Sequence, residues 1–521
     1  MGYIGNTANG TLTVNSGSTL VCGSSYVGNN SGVTGTATVT GAGSKWTVGD
    51  NVSSSDLFIG FSGNGKLTVE AGGQVASKYS DLGYLSGSTG IATVTGAGSS
   101  WTNTDLYVGV YASGTLTVQA GGQISSASGI DLGYLAGSTG VATVAGAGSK
   151  WTSGDEIHVG DSGRGVLTIA AGGQVENTSE GHVGESSTAD GTIVVTGAGS
   201  KWTNGDVLLI GYGGRGTLNI GAGGQVVSRS EAYVGTYSGS IGAVNLDGNG
   251  STWSNSSFVD VGYYGNGTLN LSGGGAITAP IIQVNSTSLL AVDVGTGSTI
   301  AGSIVNSGKV RLLAGAVAAA NTASHPISWS GSGTCQAVGG KWNSTTQQFT
   351  VSPVQTGTSG SPVTVDLAAT ERILVSDSGS GWSLEASFLA TPSSSVLNLT
   401  TTAIGGSALA DLKSKLDADK PGVAGAWTFT AASGYTTGDP VYLSFNVGAG
   451  HARGDFDIWR YNGTAWAEYF PGDLTCNGNY LSFTTTDLCG YAVAAPEPST
   501  LAMLGIGILG FLGHFWLRQK H

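Results

Sequence analysis

The sequence predicts an all-β chain: a parallel β-solenoid (β-helix) of about eleven coils, a β-sandwich-like domain after it, and a C-terminal transmembrane helix. Two observations carry this reading. One glycine-punctuated phrase recurs eleven times between Tyr3 and Ile277, and the pattern then changes to longer strands with hairpin turns, ending in an apolar run. The phrase Leu57-Phe-Ile-Gly60…Gly65-Lys-Leu-Thr-Val69…Gln74-Val75 returns as Leu106-Tyr-Val-Gly109…Gly114-Thr-Leu-Thr-Val118…Gln123-Ile124. A variant form, Gly90-Ile-Ala-Thr-Val-Thr-Gly-Ala-Gly-Ser-Ser-Trp101, alternates with it. Marker glycines stand at 60, 83, 109, 133, 160, 184, 211, 235 and 262, so shorter and longer spacings alternate within a pair of about 51 residues. A fixed period in this range signals stacked repeats.

Within a repeat, strict alternation puts Leu67 and Val69 on one face and Thr68 on the other. No repeat shows a helical period. Two or three short strands with glycine corners make one coil, which buries its apolar residues only against its neighbours. A propeller is the alternative, because blades also recur at about 40–50 residues. The solenoid is preferred because the two halves of each pair match. Leu67, Val69, Val118, Val144 and Ile169 are expected inside, and a right-handed coil follows by analogy with similar folds.

The two half-types exchange volume. Leu67 and Val75 fill the inward sites of one, and Ala92 and Trp101 fill those of the other; Ala37/Trp46, Ala142/Trp151 and, less strictly, Val194/Trp202 repeat the exchange. A core near crystal density needs such compensation. Trp46, Trp101, Trp151, Trp202 and Trp253 could stack on sugars, but their alignment with aliphatic residues of neighbouring coils favours burial. Lys45, Lys150 and Lys201 beside them read as solvated neighbours.

Residues 1–277 thus form the array. Residues 278–351, where the phrase decays, form an irregular cap that hides the last apolar cross-section. Residues 352–495 carry strands at Arg372–Val375, Trp427–Phe429, Val441–Phe445, Phe456–Trp459, Tyr480–Phe483 and Tyr491–Val493. The turns Tyr461-Asn-Gly-Thr464 and Cys476-Asn-Gly-Asn479 suit hairpins. One short helix is expected over Ala408–Ala418, with Leu409, Leu412 and Leu416 on one face. A unit of this size suits one sandwich.

Composition narrows the function. Glycine is 91 of 521 residues, charged residues are 10%, and the net charge of −13 comes with no basic cluster before the last residues, so nucleic-acid binding is not expected. Cys22, Cys335, Cys476 and Cys489 are too few for a disulfide framework, although Cys476 and Cys489 lie close enough in sequence to bridge. Asp81, Asp105, Asp131, Asp155, Asp206 and Asp260 raise a calcium reading, but no Gly-Gly-x-Gly-x-Asp run occurs, and turn or corner aspartates are preferred. Arg453-Gly454-Asp455 reads as a polar turn, and His451 beside it has no identifiable nucleophile or carboxylate pair. No catalytic, cofactor or metal residue is assigned.

The tail, residues 496–521, has three parts. Pro496-Glu497-Pro498 precedes the apolar run Thr500–Leu517, and Arg518 and Lys520 follow. At 1.5 Å per residue the run spans about 27 Å, enough for a thin bilayer. The cationic end should stay cytoplasmic and leave the β-region outside. This arrangement closely resembles the PEP-CTERM sorting signal of bacteria that make exopolysaccharide, and Pro496, Glu497 and Pro498 match its motif. The resemblance implies recognition by an exosortase, cleavage near Pro496–Ser499, and a cell-surface or extracellular-matrix location; a permanent single-span anchor is the alternative. The Leu-Thr-Val-x-Ala-Gly-Gly-Gln-Val phrase also resembles repeats of PEP-CTERM and autotransporter-associated surface proteins, but no alternating membrane-barrel strands follow. Met1-Gly-Tyr-Ile-Gly opens inside a repeat without an export signal, which suggests a truncated or misassigned start.

The expected function is a non-enzymatic structural or adhesive protein of the cell surface or exopolysaccharide matrix, with exopolysaccharide or other surface glycans as partners. The alternative is a polysaccharide lyase or glycosidase. An enzyme site would break repeat regularity at one cluster of coils, and no such break is found: the acidic positions recur singly, and Lys45, Lys150 and Lys201 are periodic too.

Overall fold

The computed structural model describes residues 1–49, 56–316, 324–368, 371–389, 396–448, 451, 453–477 and 479–495. Pro496, Glu497, Pro498, the apolar run, Arg518 and Lys520 lie outside the described residues. Among the described residues no helix is long and apolar enough to cross a membrane.

The chain divides into two compact units, one built mainly from Met1–Leu313 and the other mainly from the chain beyond Thr350. The first is a parallel β-solenoid of about thirteen turns, not a propeller. Each regular coil has three strands. In one coil a seven-residue strand, Asn64–Glu70, is followed by Gln74–Ala76 and Tyr79–Leu82. The long strands stack in register into a 14-stranded parallel sheet, and the two shorter strands interleave in a second sheet of 24 strands. The ladder outlasts the recognisable phrase, continuing through Leu289–Asp293, Lys309–Leu313 and Thr334–Val338.

Register explains the repeat. Ala92 pairs with Leu67 on one side and Leu116 on the other, while Trp101 pairs with Val75 and Ile124. Leu67, Val69, Val118, Val144 and Ile169 are all fully buried, as expected. So are the five tryptophans, which settles them in the core and not on a sugar-binding surface. Three of the indole N–H groups reach back one coil: Trp101 donates to Ser77 Oγ at 3.0 Å, Trp202 to Asn177 Oδ1 at 3.0 Å and Trp253 to Ser228 Oγ at 3.1 Å.

The volume exchange is less strict than the sequence suggests. Val194 faces outward; the inward residue of that coil is Ile193, which pairs with Leu167 and Leu218. Val244 fills the same site in the coil of Trp253. Alanine compensates tryptophan in the coils of Trp46, Trp101 and Trp151 only, so the later coils absorb the indole without it. Lys150 is solvent-accessible, as expected, and its ammonium lies 3.2 Å from Glu176 one coil on.

The corners are fixed by side-chain hydrogen bonds as well as by glycine. Buried serines of the variant coils accept from a glycine N–H of the preceding coil, at 3.0 Å each for Ser44, Ser99, Ser149, Ser200 and Ser251. A backbone donor that would otherwise be orphaned at each corner is thereby satisfied.

The second unit packs two six-stranded sheets around one core, mostly antiparallel. Ile373, Leu384, Leu443 and Phe483 of one sheet meet Leu397, Trp427, Ile458 and Tyr491 of the other. All six expected strands are present, and Asn462 closes the expected hairpin by accepting from the N–H groups of Thr464 and Ala465. A buried ion pair, Arg372–Glu385 at 3.0 Å, is completed by Arg372 donating to the carbonyls of Ser352 and Gly315. The helix runs over Gly406–Lys413, shorter than Ala408–Ala418 predicts, because the chain leaves the helical path after Ser414; Leu412 is buried and Leu409 and Leu416 pack beside it. Cys476 and Cys489 are not joined: one lies on the strand Thr475–Asn477 and the other precedes Gly490–Ala495, in different sheets. Arg453–Asp455 forms a 3-10 turn between strands.

Candidate functional site: an aromatic and imidazole–carboxylate face

The third strand of each coil presents one side chain outward between two buried ones. In Ser25–Val27 the outward residue is Tyr26. Parallel register aligns this position from coil to coil: Tyr3 with Tyr26, then Phe58, Asp81, Tyr107 and Asp131. His158, His182, Leu209, Tyr233 and Asp260 continue the row. A second row follows the marker glycines, with Phe61, Tyr84, Tyr134, Tyr212 and Tyr263.

The two rows interlock. Tyr3 stacks on Tyr26 at 5.1 Å and Tyr26 on Phe58 at 5.0 Å, while Phe61 stacks on Tyr84 at 5.2 Å. Tyr212 and Tyr237 meet edge-on with their hydroxyls 3.1 Å apart, and Tyr233 meets Tyr263 at 5.3 Å. The outermost rings stay open to solvent: Tyr111 is 52% exposed, Tyr237 50% and Tyr264 67%.

Three aspartates expected in turns belong to this row. Asp81, Asp131 and Asp260 sit within strands, flanked by larger side chains of adjacent coils, while Asp155 and Asp206 lie in bends and Asp105 opens a strand. Burial, reinforced by Asp56, pushes the Asp81 carboxyl up to about 7. Burial does the same to Asp131, up to about 7, although His158 opposes it. A carboxyl with a raised folded pKa binds its proton more tightly in the fold. Its contribution to stability is therefore present at low pH and lost as pH rises through the window from the ordinary carboxylate value to about 7. We expect the wild-type chain to lose stability from pH 4 to pH 8 relative to Asp81→Asn, measured by urea unfolding at both ends. Parallel pH profiles for the two chains would refute this.

Between the aromatic stretches lies a different chemistry. His158 and His182 stack with centroids 4.6 Å apart and planes 1° from parallel. His158 Nδ1 is hydrogen-bonded to Glu185, and its Nε2 lies 3.0 Å from Glu156 Oε2. His182 Nε2 lies 3.1 Å from Glu180 Oε2. Glu156, His158 and His182 have donor atoms within 4.8 Å of one another, and so do Asp131, His158 and Asp161. Burial works to lower the His158 pKa, but the hydrogen bond to Glu185 and the charge of Asp131 outweigh it and push the ring up to about 9. Burial and the charge on His158 lower His182. The two stacked imidazoles are thus pushed in opposite directions, as two adjacent like charges require.

The acidic positions therefore do not all recur singly, as the sequence suggests; here they gather with two histidines and break the repeat. The signal was available two residues before and one residue after each marker glycine, where rings dominate and Asp131, His158, Asp161, His182 and Glu185 replace them in adjacent coils.

Residues 494–518 match the PEP-CTERM protein-sorting motif. The chain carries a PEP-CTERM sorting tail. The expected motif residues Pro496, Glu497 and Pro498 and the basic Arg518 all fall inside the match, while Lys520 lies just beyond it. A PEP-CTERM tail implies an exported surface protein and processing by an exosortase. The chain is also 33% identical over 252 residues to an uncharacterized lipoprotein, YdeK, of Escherichia coli strain K12. That alignment takes in 46% of this chain but only 19% of YdeK. No solved structure matches the chain.

Proposed function

We propose that this PEP-CTERM protein is a non-enzymatic structural or adhesive component of the cell surface or exopolysaccharide matrix, holding glycans along the aromatic face of its solenoid. The observation that carries the reading is the combination of a sorting tail with clustered rings along one face of the coils, whose outermost members Tyr111, Tyr237 and Tyr264 are open to solvent. A flat apolar ring suits the C–H face of a sugar, and a periodic row suits a polymer. The net charge of −13 favours neutral glycans over anionic ones. The apolar run Thr500–Leu517 serves as a temporary inner-membrane anchor with Arg518 and Lys520 inside, and cleavage near Pro496–Ser499 releases the β-region.

One observation favours a second reading, an enzyme acting on polysaccharides: the Asp131–His158–Asp161 group is a local break in the repeat. Its donor atoms all lie within 4.8 Å, however, closer than the roughly 5–9.5 Å separating the two carboxyl groups of a glycosidase. That spacing suits holding a charge better than flanking a glycosidic bond.

The test is a glycan-array screen of the full-length chain beside Tyr111→Ala, Tyr237→Ala and Tyr264→Ala. These exposed rings can be removed without touching the core, and each removal should weaken binding by about 0.5–1.5 kcal/mol. Binding unchanged in all three, or absent from the wild type, would sink the glycan reading. Reproducible chain cleavage of polysaccharides by the wild type would establish the enzyme instead.

A further inference from the structure

We propose that Glu156, His158 and His182 form a binding site for a divalent first-row transition metal of the zinc type. The site lies on adjacent coils of the third-strand ladder, where parallel register brings His158 directly beside His182. Glu156 and Glu180 each stand two residues before a histidine and reach its Nε2, so the same short unit, Glu-x-His, is repeated one coil apart. The Glu156, His158 and His182 donor atoms already lie within 4.8 Å of one another. Both rings would have to turn out of their parallel stack for the two nitrogens and the carboxylate to converge at the ~2.0–2.2 Å bonds of a zinc centre.

The surroundings fit a metal better than they fit a structural role. A ligating imidazole usually donates its second N–H to a carboxylate, which fixes the tautomer and strengthens the ligand. Glu185 is already in that place, on His158 Nδ1. Asp131 and Asp161 place two further carboxyl groups within 4.8 Å of a ligating nitrogen of the same ring. His182 is only 7% exposed, yet its Nδ1 has no hydrogen-bond partner among the described residues. Burying an imidazole with an unused nitrogen is costly, and Leu209 or Tyr107 fills the same ladder position elsewhere without that cost. Two imidazoles and a carboxylate favour zinc, nickel or copper over the oxygen-seeking calcium and magnesium.

The experiment is isothermal titration of zinc chloride into the full-length chain in detergent, with thermal melts in parallel. Variants are His158→Tyr and His182→Leu, which install residues the ladder already accommodates, and Glu156→Gln. We expect one zinc equivalent on the wild type, at least about tenfold weaker binding in each variant, and a zinc-dependent rise in melting temperature confined to the wild type. Melts without metal verify the fold of each variant, and Glu156→Gln keeps both rings should a histidine variant not fold. No saturable binding by the wild type, equal binding by all chains, or a matching response to calcium chloride would overturn the proposal.

Discussion

Trp202→Ala should destabilise the solenoid by about 3–5 kcal/mol, the range for deleting a large buried aromatic side chain. The indole is fully buried, pairs in register with Val175 and Val226, and donates to Asn177 Oδ1 at 3.0 Å. Its loss opens a cavity between two coils and leaves Asn177 Oδ1 without that donor. Because each coil contacts only its neighbours, the damage should be local. Limited proteolysis of the full-length chain should cut near residues 175–230 well before the distant coils. Unaltered urea unfolding together with an unaltered cleavage map would refute the assignment of these indoles to the core.

Gly133→Ala should cost about 2–4 kcal/mol, and Gly137→Ala about 1 kcal/mol. Both glycines have positive φ, +69° and +83°, so both substitutions carry the backbone penalty. They differ in surroundings. A Cβ on Gly133 would stand 2.2 Å from the carbonyl oxygen of Arg164 in the next coil, whereas one on Gly137 meets nothing within 4 Å. The marker glycines are therefore a matter of coil-to-coil approach as well as dihedral freedom. Equal losses for the two variants, measured by urea unfolding, would show that approach distance is irrelevant.

The same contrast explains what was legible in the sequence. Strand alternation and the period place Leu67, Val69 and Ile169 inside because register is inherited by every coil, so one correctly read coil reads the rest. The split of burial between Ile193 and Val194 was not legible, because two adjacent β-branched residues satisfy either phase until the neighbouring coils choose. Asp81, Asp131 and Asp260 resemble turn residues by type alone; what buries them is flanking side chains about 25 residues away in sequence. The site was hidden for the same reason. His158, His182, Asp131 and Asp161 are scattered in the chain, and only stacking makes them adjacent. The ends of the short helix depended on local geometry around Ser414, which its apolar spacing does not encode.

The in-register ladder also has a mechanical side. Its strands hydrogen-bond along the stacking axis, and each coil adds only ~4.8 Å of length there. A coil peeled from its neighbour would release about 25 residues, or roughly 80 Å of extended chain. A tether built this way can lengthen many-fold under load by yielding one coil at a time. The number of residues in each coil, and not the spacing between coils, thus sets the size of each yielding step.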